Sequence, residues 1–321
     1  MENVASFLHY GAIFFIIGVT SLGTGIGGGR ATVKALEALN RAPQSFAEIF
    51  RVLIIGLALI ETSAILGIVM GLLLIFGQPS ETSENIYAAL AELGIAFALG
   101  IAGGLVGLLS ALPVQEATYA ITRQPFFSNK IINTMLLTQS IIQTPVIFCF
   151  LVALFINGQL KTVNTYANSI RLVASGLCIG IGSIGPTLGL ARFAQVANRC
   201  IAFNRNAYST LMPFIFVSQA IIETPIIFAL LVTIILLFTP IKPNNEFLGA
   251  VSCIATALCA ALGTLGPGIS SGKIASAACQ EIALNQENSS IISRTSILGQ
   301  GIIDAAAMYA LLVALIIIIL R

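Results

Sequence analysis

Three carboxylates and one amide recur at nearly equal intervals in apolar stretches of this 321-residue sequence. Glu61, Gln143, Glu223 and Asp304 are separated by 82, 80 and 81 residues. The octapeptide around Gln143, IIQTPVIF, is almost identical to that around Glu223, IIETPIIF. A charged side chain inside a membrane span costs roughly 3 kcal/mol or more, and such residues are usually functional. The three acids are therefore candidate functional residues.

The composition predicts an integral membrane protein. Hydrophobic residues make up 57% of the chain, charged residues only 9%, and the mean hydropathy is +0.98. A soluble domain carries about 25% charged residues. The six cysteines lie in or near apolar stretches without metal-ligand spacing, so they resemble small hydrophobic residues. We therefore expect no cofactor, no metal site and no nucleic-acid partner.

The chain is organised as four copies of one unit, predicted at residues 1–77, 78–158, 159–240 and 241–321. Each unit has a glycine-rich apolar stretch, a polar turn and a second apolar stretch with the recurring polar residue near its middle. Both stretches are long enough to span a bilayer as helices. Glycines let neighbouring helix backbones approach closely in membranes. We expect an all-α membrane protein with eight transmembrane helices in four tandem hairpins.

The distribution of basic residues predicts the orientation. Of the fifteen Lys and Arg residues, four lie near the termini or between hairpins, namely Lys161, Arg171, Lys242 and Arg321. The other eleven lie in or beside the turns within hairpins. By the positive-inside rule, these turns face the cytoplasm and the termini face outward.

This pattern resembles the c subunit, or proteolipid, of rotary F-type ATP synthases, here as four fused hairpins. The resemblance rests on the glycine-rich first helices, the turns Arg41-Ala42-Pro43 and Arg123-Gln124-Pro125, and the polar residue twenty positions after each arginine. It implies a rotor ring built from copies of the chain, a stator a subunit that supplies an arginine, and surrounding lipid in a bacterial inner membrane. It also implies a central stalk at the cytoplasmic turns, through Arg41, Pro43, Arg123, Gln124 and Pro125. The turns of the third and fourth units depart from this pattern.

The resemblance assigns Glu61, Glu223 and Asp304 as the ion carriers, whereas the amide Gln143 cannot ionise and is predicted to be silent. Thr62, Thr224, Ser271, Gln219 and Gln300 are possible neighbours of these sites. The glutamines precede the site residue by four positions and share its helix face, where they either donate to the carboxylate or hold helices together.

The same positions predict that the ion is a proton. Sodium-type proteolipids carry a glutamine on the first helix, 33 residues before the acid, whereas this chain has Gly28, Ser110, Leu190 and Ser271 there. Asp304 is followed by three alanines, so we expect its site to be the poorest in oxygen ligands and unable to hold sodium.

Three other assignments remain open. Fused two-hairpin proteolipids of vacuolar-type ATPases are a precedent for fusion, although the first two turns favour the F-type. A secondary transporter also places carboxylates in the membrane, but such folds usually have two large repeats around one central site. A membrane scaffold explains the glycines but not three acids at matching positions.

Overall fold

A computed structural model describes residues 2–77, 85–241 and 246–320. Within these residues, eight helices are long and apolar enough to cross a membrane: α1 Asn3–Arg41, α2 Pro43–Gly77, α3 Ile86–Arg123, α4 Pro125–Thr162, α5 Tyr166–Phe203, α6 Arg205–Phe238, α7 Glu246–Leu284 and α8 Gln286–Leu320. At about 1.5 Å per residue they are roughly 50–60 Å long, which exceeds the hydrocarbon thickness of about 30 Å. The expected all-α fold with eight spans in four hairpins is confirmed.

Some predictions fall on residues that are not described. Residues 78–84 and 242–245, next to the predicted boundaries of the first and third hairpins, lie outside the described residues. Lys242 and Arg321, two of the basic residues assigned to the outer side, also lie outside them. Arg171, a third, is buried near the start of α5, where its guanidinium donates to the carbonyl of Leu237 at 2.5 Å and to Gln159 Oε1 at 3.0 Å.

Each hairpin closes through a short 3₁₀ turn at the start of its second helix. These turns span Pro43–Ser45, Pro125–Phe127, Arg205–Ala207 and Gln286–Asn288. In the first two, proline opens the turn, since it needs no backbone donor there and its φ suits a helical start. The α-helical part of the second helices then begins at Phe46, Ser128, Tyr208 and Ser289.

Three of the spans contain a local break. In α3, the segment Ala96–Gly100 is a π-helix, and Ser110 separates Ile101–Leu109 from Ala111–Arg123. In α4, the α-helix stops at Ile142 and restarts at Thr144, so Gln143 itself occupies the break. In α5, Ser183 separates Tyr166–Gly182 from Ile184–Phe203. The break at Gln143 lies two residues before Pro145. Proline has no backbone N–H to donate, and its ring clashes with a carbonyl of the preceding turn, so the regular helical hydrogen bonds are interrupted there.

The helices form two layers that follow chain order. The first helices, α1, α3, α5 and α7, lie side by side, and the second helices, α2, α4, α6 and α8, pack behind them in the same sequence. Backbones touch in the first layer: a Cβ added at Gly23 or Gly27 would fall on the backbone of Gly104 or Gly107. The first layer is therefore the tighter one, and the row of hairpins must curve toward it.

Candidate functional site

Gln143 is held between two hairpins. Its side chain is 5% exposed. The Thr62 hydroxyl of α2 donates to its Oε1 at 2.9 Å, and its Nε2 donates to the carbonyl oxygen of Leu59 at 3.0 Å. The amide thus both accepts from and donates to the preceding hairpin, and it links α4 to α2.

Asp304 occupies the corresponding place on α8 and is also buried, at 8% exposure. The Thr224 hydroxyl of α6 donates to Oδ2 at 2.6 Å, and the Ser271 hydroxyl of α7 donates to Oδ1 at 3.3 Å. The expectation that Asp304 would have the barest site is therefore wrong. Its hydroxyls come from the preceding hairpin and from its own first helix, so the alanines that follow it do not decide its surroundings.

The two glutamates differ in exposure. Glu223 is half-buried on α6, and the hydroxyl of Thr144 on α4 lies near its carboxyl. Glu61 is exposed on α2, where no other described hairpin covers the side that the preceding hairpin covers at the later sites. At Gln143 and at Asp304 a donor is thus the threonine one position after the previous site residue, and Thr144 is the equivalent residue beside Glu223.

The glutamines four positions before the site residues hold neighbouring hairpins together and do not reach their own carboxyls. Gln219 Nε2 donates to the carbonyl of Thr138 at 3.3 Å. Gln300 Nε2 donates to Ser218 Oγ at 3.5 Å and to Ser296 Oγ at 3.0 Å. Of the two functions that the sequence left open for them, the contacts correspond to helix packing.

The turn residues meet along the first-helix layer. The Arg41 guanidinium donates to the Tyr119 hydroxyl at 2.6 Å, and both Arg41 and Arg123 lie over the Tyr119 ring, 5.0 and 4.8 Å from its centroid. Gln124 Nε2 donates to the carbonyl of Ala202 at 2.7 Å. Pro43 and Pro125 open their 3₁₀ turns. The exposed basic groups are therefore gathered at the end of the helices where the turns lie.

Two features escaped the sequence analysis. Thr144 was not recognised as a neighbour of Glu223, although it shares its motif with Thr224. His9 Nδ1 lies 2.7 Å from Glu92 Oε2 in a buried pair between α1 and α3. Glu92 could have been found as a lone acid in the apolar start of α3. Across the described residues, no group of three His, Cys, Asp or Glu side chains is placed to hold a metal ion.

Comparison with known proteins identifies the unit that is repeated. The family model of the ATP synthase C subunit matches residues 12–74 and 254–317, which lie in the first and last hairpins. The second of the ATP synthase c subunits of Cereibacter sphaeroides is 46% identical over 65 residues, which are 20% of this chain and 78% of that protein. The ATP synthase c subunit of Mesomycoplasma hyopneumoniae is 43% identical over 75 residues, 23% of this chain and 72% of that protein.

A third relative, the ATP synthase c subunit of Clostridium botulinum, is 43% identical over 61 residues, which are 19% of this chain and 77% of that protein. Each relative is thus matched over most of its own length by about one fifth of this chain. The length, the repeated hairpin and these matches agree, and the chain belongs to the family of ATP synthase c subunits.

Proposed function

We propose that Glu61, Glu223 and Asp304 each bind and release one proton as the rotor ring turns, and that Gln143 is a silent position. As a member of its family, the chain is a membrane-embedded rotor-ring subunit of an F-type ATP synthase, and ion translocation follows from that membership. Four hairpins, at residues 1–77, 78–158, 159–240 and 241–321, then carry three protons per chain and turn.

The observation that supports this proposal best is the pair of matching contacts at Gln143 and Asp304. Each of the two side chains accepts from a threonine of its own preceding hairpin, Thr62 for Gln143 and Thr224 for Asp304, so the two positions are equivalent in the repeat. A carboxyl there can bind a proton, which neutralises it for passage through lipid, and can release the proton beside an opposite charge. An amide does neither.

Protons rather than sodium fit the oxygen ligands of these sites. Asp304 has two hydroxyl neighbours, and Glu223 faces the hydroxyl of Thr144. At the first-helix position where sodium-type proteolipids carry glutamine, Gly28 and Leu190 offer no side-chain oxygen. A sodium ion needs a shell of several oxygens, whereas a proton needs only the carboxyl and a neighbour.

The remaining partners are proposed from the family and the charges. An arginine of the stator a subunit would pair with each ionised carboxyl. The central stalk would contact the cytoplasmic turns, where Arg41 and Arg123 are exposed. The termini would face outward across a bacterial inner membrane, in accordance with the positive-inside rule.

Carbodiimide labelling of the purified assembly tests the assignment, since a hydrophobic carbodiimide attacks protonated carboxyls in membranes. We expect label on Glu61, Glu223 and Asp304, and loss of ATP-driven proton transport when all three are changed to amides. An assembly without label at any of the three, or a triple variant with full transport, contradicts the proposal. Protection from labelling by millimolar sodium chloride, but not by potassium chloride, would show that sodium is the ion.

A further inference from the structure

One hydroxyl contact repeats at each junction between hairpins inside the chain. It is a hydrogen bond from Thr62 to Gln143 and from Thr224 to Asp304, and at the middle junction the equivalent hydroxyl of Thr144 lies near Glu223. The equivalent residue of the fourth hairpin is Ala305, which has no hydroxyl. Ala305 is only half-buried in the single chain, so a further hairpin can pack beside it.

An amide contact repeats in the same way, four residues before each site residue. It joins Gln139 with the carbonyl of Gly56, Gln219 with the carbonyl of Thr138, and Gln300 with the hydroxyl of Ser218. The equivalent residue of the first hairpin is Leu57. The two residues that break the repeated contacts therefore lie at opposite edges of the chain, on α2 and on α8.

Glycines on the first helices at these two edges match the glycines that form backbone contacts at the internal junctions. In α7, a Cβ added at Gly268 or Gly272 would meet the backbone of α5. Their equivalents in α1 are Gly25 and Gly29, beside which the described chain leaves open space. On the free side of α7, Gly266 is equally open. At the two edges, these glycines have no neighbour within the described chain, whereas the equivalent glycines at the internal junctions touch the backbone of the next hairpin.

The turns show one polar contact that the edges can still make. Asn204 Nδ2 donates to the carbonyl of Ala283 in the next hairpin at 3.0 Å, while Asn204 Oδ1 accepts from the backbone N–H of Asn206. Asn285 has the same local bond, from the backbone N–H of Glu287 to its Oδ1. The acceptor equivalent to Ala283 in the first hairpin is the exposed Asn40. A second copy beside α7 and α8 therefore brings Asn40 to Asn285.

We propose that the site at Glu61 is completed by α8 of a second copy of this chain, with Ala305 of the partner subunit where the other sites have a threonine hydroxyl. This inference rests on the proposed function, and it concerns a feature of this chain's own sequence. Glu61 is then the one acid of the three without a hydroxyl on the adjoining hairpin. Since one ring carries one kind of ion through every site, this bare junction site, rather than the site at Asp304, restricts the ring to protons.

Site-resolved labelling of the intact ring tests the composition of the site. At one fixed pH, we expect Ala305→Thr to slow carbodiimide labelling of Glu61 by about threefold to tenfold, because a hydroxyl donor stabilises the ionised carboxylate. Labelling of Glu223 should stay unchanged. Thr224→Ala is the matched variant inside the chain: it should speed labelling of Asp304, 80 residues away, and leave Glu223, its own neighbour, unaffected.

Cross-linking tests the junction independently of ion binding. In a cysteine-free chain, the pair Asn40→Cys and Asn285→Cys should link copies into multiples of 33.6 kDa under mild oxidation. The pair Asn204→Cys and Ala283→Cys should form its bond within one chain without a change in mass. If only the second pair reacts, or if Ala305→Thr leaves Glu61 unchanged while Thr224→Ala affects Asp304, the junction site is overturned. Cross-linked multiples without label at any acid would instead contradict the proposed function alone.

Discussion

Gln143 and Asp304 occupy the same place in the repeat, yet they use the same hydroxyl donor differently. Thr62 donates to the amide oxygen at 2.9 Å and Thr224 to the carboxylate oxygen at 2.6 Å. The amide also has donors of its own, and it uses them on the carbonyl of Leu59. Asp304 has no side-chain N–H, and its second oxygen accepts from Ser271.

This difference separates two functions of one position. At Gln143 the side chain is bonded to the preceding hairpin through both its donor and its acceptor, so the contact contributes to packing and does not depend on protonation. At Asp304 both hydroxyls support an anion that can be discharged by a proton. A hairpin can therefore keep its packing position in the ring although its site residue no longer binds an ion. In a fused chain, the three other hairpins still carry carboxyls.

The largest effect is expected where a second silent position is created beside the first. Glu223→Gln leaves two consecutive amides, at 143 and 223, so the stator arginine meets no anion over two neighbouring hairpins. An unpaired buried charge is strongly unfavourable, and we expect proton transport to fall by at least about a hundredfold. Transport by reconstituted enzyme, measured as ATP-driven acidification of vesicles, checks this expectation.

Asp304→Asn is the control for that variant. In this variant the amides at positions 143 and 304 are each flanked by the acids Glu61 and Glu223, so no two neighbouring hairpins lack a carboxyl. It should therefore retain much more transport than Glu223→Gln. Equal loss in the two variants would indicate that the acids act independently of their spacing around the ring.

A moderate effect is expected from the two donors of Asp304. The Thr224 hydroxyl is closer to the carboxylate than the Ser271 hydroxyl, at 2.6 against 3.3 Å. Ser271→Ala should therefore speed carbodiimide labelling of Asp304 by less than Thr224→Ala does, about twofold against roughly fivefold. The reverse order would mean that the neighbour on its own hairpin, rather than the preceding hairpin, controls this site.

The smallest effect is expected from Thr62→Val. It removes the bond to Gln143, which carries no ion, so proton transport should be unchanged. Polar contacts between membrane helices contribute about 0.6 kcal/mol on average, and the resistance of the ring to dissociation by detergent and heat should fall accordingly. A change in transport would show that Gln143 takes part in ion movement after all.

Much of this organisation could be predicted from the sequence, because the repeat places each acid, turn and glycine at the same offset. The eight spans and the recurring polar position needed only hydropathy and spacing. The pairing of each threonine with a site residue of the following hairpin could not be predicted, because the spacing within a hairpin does not show which face of its second helix contacts the next hairpin. Thr224 was predicted only as a possible neighbour of the ion sites, and the packing places its hydroxyl beside Asp304.

For the same reason, Ala305 was expected to leave the site at Asp304 bare. In the structure, the threonine after a site residue donates to the site residue of the following hairpin. Ala305 holds that position in the fourth hairpin, and we propose that it therefore adjoins Glu61 of another copy. The pair of His9 and Glu92 was also missed, because it joins residues 83 positions apart in adjacent first helices. Only the register between those helices brings the two side chains together.

The central claim, three protons for four hairpins, is tested most directly by the proton-to-ATP ratio of the natural enzyme and of Gln143→Glu. The ratio is obtained from the proton-motive force at which ATP synthesis and hydrolysis balance. Adding a fourth carboxyl to each chain should raise it by about one third, provided that the new carboxyl is labelled by carbodiimide and the ring size is unchanged. A labelled variant ring with an unaltered ratio would contradict the account, because position 143 would then not limit the number of ions carried.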